Sequence, residues 1–87
     1  MSWHVVFTRQ AQKDAKKLTA SGLKDKADFL IAILAANPYQ STPPFEKLAG
    51  DLAGSYSRRI NIQHRLVYQV LDDLGVVKGL RLWTHYE

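Results

Sequence analysis

The alternation of apolar and polar positions divides the 87-residue chain into an opening strand, two helices and a run of later strands. Residues 3–7 (Trp-His-Val-Val-Phe) are a short apolar, β-branched stretch that suits a strand, and Thr8 behind it offers a helix N-cap. From residue 9 to 18, Ala11, Ala15 and Leu18 fall on one helical face, while Arg9, Lys13, Lys16 and Lys17 gather on the other with Asp14 as the acidic interruption. After Gly22, the helically spaced Leu23, Ala27, Leu30, Ile31 and Leu34, with Phe29 and Ile33 widening the arc, predict a second helix that carries more of the core. That helix should stop at Asn37-Pro38, because the residue before a proline is biased away from the helical region.

Residues 39–54, broken again by Pro43-Pro44, read as an irregular connection with a helical turn around 46–52. A loop of that length in a small domain is often functional. Residues 55–60, 65–71 and 76–83 then form three strand-like runs separated by Asn61-Ile62-Gln63-His64 and Asp72-Asp73-Leu74-Gly75, which gives two hairpins. The order β-α-α-β-β-β predicts an α+β fold, with the two N-terminal helices packed on one face of a mainly antiparallel sheet. The length leaves room for one core, so residues 1–87 are expected to be a single domain.

Composition narrows the partners. Twelve Lys and Arg against eight Asp and Glu leave a net charge of +4, which favours polyanions without choosing among RNA, DNA, anionic lipid and an acidic protein. The chain has no Cys, and its three scattered His lie in no ligand cluster, so neither a metal site nor another cofactor is expected. A basic-then-apolar leader is missing from the start, and no stretch approaches the ~18 apolar residues of a membrane span, which predicts a cytoplasmic protein with no membrane partner.

The candidate chemistry is concentrated in the second half. Arg58, Arg59 and Arg65 flank the first hairpin, and pairing Arg59 opposite Arg65 brings two guanidinium groups out on one face about 5 Å apart at the backbone. Two like charges so placed call for an anion, and guanidinium forks match phosphate oxygens; ordinary surface arginines paired with Asp51, Asp72 or Asp73 are the other reading. At the end of the chain stand Trp83-Thr84-His85-Tyr86-Glu87. His85 shares a face with Trp83 if the last strand continues, and beside a bound phosphate it is suited to act as a general acid. His4 and His64 belong to no constellation, Glu46 reads equally as a helix-start carboxylate, and the lysines of the first helix are either a solvated face or a polyanion stripe.

Glu46, Leu48, Leu52, Gly54, the block Tyr56-Ser57-Arg58-Arg59-Ile60, the block His64-Arg65-Leu66-Val67-Tyr68 and the terminal His85-Tyr86 together resemble the Txe/YoeB family of toxin endoribonucleases. The likeness is strongest over residues 45–87. It implies a RelE-like microbial-ribonuclease fold, cleavage of ribosome-bound messenger RNA, and neutralisation by a small cognate antitoxin of the YefM/Axe or another type. Position by position, it puts the general base on Glu46, phosphate binding on Arg59 and Arg65, and the general acid with its aromatic neighbour on His85 and Tyr86. The chain departs from the family in setting Glu46 within Pro-Phe-Glu-Lys, in having Ala49 where a lysine is frequent, and in having Trp83 where an arginine is frequent, with Arg81 two residues earlier. Its first helix also lacks the aromatic and acidic residues of many members.

RNA carries its own nucleophile in the 2′-hydroxyl, so cleavage needs a base, cations for the phosphorane charge and an acid for the leaving oxygen, a set these residues supply without a metal. Lys47, Arg58, Trp83, Lys13, Lys16 and Lys17 are the expected RNA contacts, through charge and through stacking. A non-catalytic nucleic-acid-binding or co-repressor module acting with a partner protein is the alternative, and it would need neither Glu46 nor His85. Oligomeric state stays open, a homodimer included.

Overall fold

Thr8 sets the junction between the first strand and the first helix by using its hydroxyl twice. Its Oγ1 accepts from the Ala11 amide at 3.1 Å as an N-cap and donates to the Leu80 carbonyl at 3.0 Å, pinning the helix start to the last strand of the chain, which lies beside the first in the sheet. The computed structural model describes residues 3–42, 44–48 and 54–83. Strand β1 (His4–Phe7) leads into helix α1 (Arg9–Ala20), which closes at Gly22 with a positive φ of 74°. Helix α2 (Lys24–Ala36) follows and ends at Asn37, ahead of Pro38. The remaining elements are β2 (Phe45–Lys47), β3 (Ser55–Arg59), β4 (Arg65–Leu71), a 3₁₀ turn (Asp72–Leu74) and β5 (Val76–Arg81).

The five strands form one sheet in the order β1-β5-β4-β3-β2, in which β1 runs parallel to β5 and the other pairs are antiparallel. Both helices cover one face. Ala11 and Leu18 from α1 and Ala27, Leu30, Ile33 and Leu34 from α2 meet Ile60, Leu66, Tyr68, Val77 and Leu82 in the core. Leu18 is 1% exposed, so its truncation to alanine should cost about 2–5 kcal/mol. Gly79 is fixed by packing: it pairs with Phe7, and a Cβ there would stand 2.5 Å from the Phe7 ring.

The observed elements follow the sequence pattern with three corrections. The connection after α2 is not irregular throughout, since Phe45, Glu46 and Lys47 add a strand to the sheet edge; Glu46 and Lys47 therefore lie on a strand rather than in a helical turn, the Leu48 amide continues the pairing to the Ser55 carbonyl at 2.9 Å, and residues 49–52 of that expected turn lie outside the described residues. Asp14 does not interrupt the basic face of α1. It is fully buried on the opposite side, where its carboxylate accepts from Arg81 Nε at 2.9 Å, the Leu82 amide at 3.0 Å and Gln10 Nε2 at 3.0 Å. Phe29, assigned to the apolar arc of α2, is 62% exposed.

Candidate active site

The turn between β3 and β4 decides which arginines face each other. The Asn61 side-chain oxygen accepts from the amides of Gln63 at 2.9 Å and His64 at 2.7 Å, while the His64 carbonyl accepts from the amides of Ile60 at 2.9 Å and Asn61 at 3.2 Å. The turn is thereby closed in one register, with Arg59 paired to Arg65, Ser57 to Val67 and, on the outer side of β3, Ser57 to Glu46. Leu66 and Tyr68 point into the helix-side core, so the alternate residues Arg65 and Val67 belong to the face turned away from the helices. Glu46, Ser57, Arg59 and Arg65 share that face.

There Arg65 Nη1 donates to Ser57 Oγ at 3.3 Å and lies 3.4 Å from Glu46 Oε1. The Arg65 side chain is 18% exposed and that of Glu46 67%, so the contact is a solvent-screened ion pair of about 1 kcal/mol or less, one that an incoming phosphate can replace. Glu46, Arg59 and Arg65, together with Pro44, Ile60, Asn61 and Ile62, line an open cleft of about 620 Å³. Its walls combine a carboxylate, which can accept a proton, with two guanidinium groups, whose forks match phosphate oxygens. Among the described residues no three His, Asp or Glu side chains converge as a metal ion needs.

The other expected site residues are placed elsewhere. Arg58 corrects the sequence reading: adjacent to Arg59 in the chain, it alternates to the helix side and is wholly buried, so it is not a surface contact for RNA. Lys47, paired with Tyr56, alternates away from Glu46 and does not line the cleft. Trp83 is half-buried and stacks on the buried His64, with ring centroids 3.8 Å apart and planes 22° apart. Arg81 is engaged by Asp14 and by the Trp83 carbonyl at 3.1 Å. Lys13, Lys16 and Lys17 are exposed along α1 and form a basic surface apart from the cleft. His85 and Tyr86 lie outside the described residues. Sequence reasoning did not single out Ser57 or Asn61; the signal available was their place at alternate positions and at a turn between two arginines.

The family model described as the YoeB-like toxin of bacterial type II toxin-antitoxin systems matches residues 7–86. The chain belongs to that family. It is 37% identical over 84 residues to the toxin YoeB of Streptomyces coelicolor, covering 94% of this chain and 98% of that protein. Among solved structures, a YoeB/ParE toxin from Agrobacterium tumefaciens superimposes with a TM-score of 0.85 at 28% identity, over 95% of this chain and 99% of that one. The YoeB of Staphylococcus aureus, at 32% identity over 99% of this chain and 100% of its own, has been solved as a YoeB-YefM complex (TM-score 0.80) and as a dimer (TM-score 0.81). The chain is a toxin of the type II class, built on the RelE-like α+β fold. In this chain the Arg59-Arg65 pair and Glu46 stand on one sheet face, and no helix among the described residues is long and apolar enough to cross a membrane.

Proposed function

We propose that the protein is an endoribonuclease that cuts messenger RNA on the ribosome and so arrests translation. The observation that carries the reading is the cleft in which Glu46 stands 3.4 Å from Arg65 and Arg65 is paired across the strands with Arg59. In this mechanism the Glu46 carboxylate takes the proton of a 2′-hydroxyl, whose oxygen attacks the neighbouring phosphorus. Arg59 and Arg65 hold the charge that builds on the phosphorane oxygens, an effect largest where donors are already in place. His85 gives a proton to the departing 5′-oxygen, with Tyr86 beside it, and the products are a 2′,3′-cyclic phosphate and a 5′-hydroxyl end. DNA lacks the nucleophile and is left intact. The base, the cations and the acid come from side chains, so the chemistry is metal-independent.

Phosphate entering the cleft exchanges the Glu46-Arg65 contact for Arg-phosphate contacts, which frees the carboxylate to act as the base. Lys13, Lys16 and Lys17 on α1 supply sequence-independent contacts to ribosomal RNA. A small acidic antitoxin is the cognate partner of this basic chain; the Staphylococcus aureus relative has been solved in a toxin-antitoxin complex with YefM. The test is induction in cells followed by mapping of new 5′ ends on transcripts, with Glu46→Gln and His85→Ala in parallel. Translation-dependent cuts that vanish in both variants while antitoxin capture persists are the expected result. Transcripts uncut by the wild-type protein would refute the reading.

A further inference from the structure

A wholly buried arginine demands an explanation, because a guanidinium taken out of water is tolerated only where its donors and its charge are met. Arg58 Nε donates to the Tyr68 hydroxyl at 3.0 Å, and Nη2 donates to the carbonyls of Pro38 at 3.0 Å and Gln40 at 2.6 Å. The Tyr68 hydroxyl in turn donates to the Pro38 carbonyl at 3.3 Å. Burial pushes the Tyr68 phenol up, the nearby Arg58 charge notwithstanding, so the phenol stays neutral and keeps the proton with which it makes that bond. The guanidinium carbon also lies 5.0 Å from the centre of the Phe45 ring and 5.9 Å from that of Tyr68. Phe45 is the residue immediately before Glu46, and it pairs with Arg58 across the strands.

Strand β2 is the weakest element of the sheet on its own terms. It has three residues and lies at an edge, paired on one side. A slip of one residue there would turn Glu46 to the wrong face and bring Lys47 or Phe45 into its place. Arg58 works against such a slip from below, since one planar fork grips the chain at Pro38 and Gln40 and lies over the Phe45 ring. We infer that Arg58 is a positioning residue for the Glu46 carboxylate, fastening the chain between α2 and β2 so that Glu46 stands opposite Ser57 and within reach of Arg65. This inference rests on the proposed role of Glu46 as base. Lysine, with its donors at one point, cannot span two carbonyls and a phenol from beside the Phe45 ring.

The experiment is single-turnover cleavage of a defined messenger RNA on programmed ribosomes by the full chain carrying Arg58→Lys, Glu46→Gln, or both, alongside antitoxin binding and thermal denaturation. Folded Arg58→Lys protein should cleave on the order of tenfold more slowly at saturation, the penalty expected of a displaced reacting group, with half-saturation changed by less than about twofold. On the Glu46→Gln background the same change should have no further effect, since the carboxylate it positions is gone. If Arg58→Lys does not fold, Tyr68→Phe removes one anchor at nearly constant volume and should slow the same step several-fold. Wild-type cleavage by a folded Arg58→Lys or Tyr68→Phe protein overturns the inference, and so does an equal loss with and without Glu46. Normal cleavage by Glu46→Gln alone refutes the base assignment instead, and is told apart by that single variant.

Discussion

Asp14 offers a test of how the helix layer holds the end of the sheet. Its carboxylate is fully buried and accepts from Arg81 Nε at 2.9 Å and from the Leu82 amide at 3.0 Å. Asp14→Ala strands the buried Leu82 amide, at about 1–3 kcal/mol, and removes the carboxylate partner of Arg81, leaving its bond to the Trp83 carbonyl. The Arg81 side chain is 44% exposed and can rehydrate, so the ion pair adds only about 1 kcal/mol. The sum, roughly 2–4 kcal/mol, corresponds to a melting temperature lowered by roughly 10–25 °C in a domain of this size. Asp14→Asn keeps the shape and one acceptor and should lose less. Burial alone would push the Asp14 carboxyl up, but the bonds from Arg81, Leu82, Gln10 and Trp83 outweigh it and hold the group below its ordinary value of 3.8. A carboxyl whose folded value is lowered contributes stability that is present above the unfolded value and is lost as pH falls through the folded one. The difference between wild type and Asp14→Asn in urea denaturation followed by circular dichroism should therefore be full near about pH 7 and shrink below about pH 4. A difference that stays constant into stronger acid, or an Asp14→Ala protein with an unchanged midpoint, would refute the reasoning.

Other expectations concern the cleft and its surroundings. Arg65→Ala should lower the cleavage rate by ~10²-fold or more with little change in melting temperature, and near-normal activity in a folded variant would remove its role. Deleting residues 84–87 takes away His85 and Tyr86 but none of the core residues identified, so the truncated chain should fold and bind antitoxin yet fail in primer extension on translated transcripts; cutting at the same codons with a comparable rate would exclude both as the acid. Replacing Lys13, Lys16 and Lys17 together by alanine should weaken ribosome binding and flatten its dependence on salt, whereas an unchanged slope would mean that α1 faces solvent in the complex.

The pattern of the chain carried the layer order, both helices and the three later strands, because each is long enough for its period to dominate over its ends. It did not carry β2. Three residues between Pro43-Pro44 and the following glycines contain no readable alternation, and the strand exists because β3 offers an open edge and Phe45 finds Arg58 and Tyr56, whose ring centre lies 5.4 Å from its own. Asp14 was misread for a related reason. On the helix wheel it sits among lysines, and what draws it inward is an amide and a guanidinium from the far end of the chain, separated from it by 68 and 67 residues.

The adjacent pair Arg58-Arg59 shows why residue type and spacing locate a site without apportioning its parts. Their side chains have the same chemistry, and the strand period of two sends them to opposite faces. Arg59 reaches the open cleft, where no partner deeper than solvent is needed, while Arg58 passes into the interior, where the carbonyls of Pro38 and Gln40 and the Tyr68 hydroxyl receive its donors. Those partners lie 10 to 20 residues away in sequence, so nothing near Arg58 announces them. Period alone leaves open which face is which; the tie is broken by Tyr56 and Tyr68, whose stacked rings, 5.7 Å apart, belong to the helix side and take the alternate residue Arg58 with them. The same parity then sends Ser57 and Arg59 to the outer face with Glu46. The aromatic residues of the two motif blocks thus decide which of the neighbouring arginines meets the substrate and which one holds the strand that carries the proposed base.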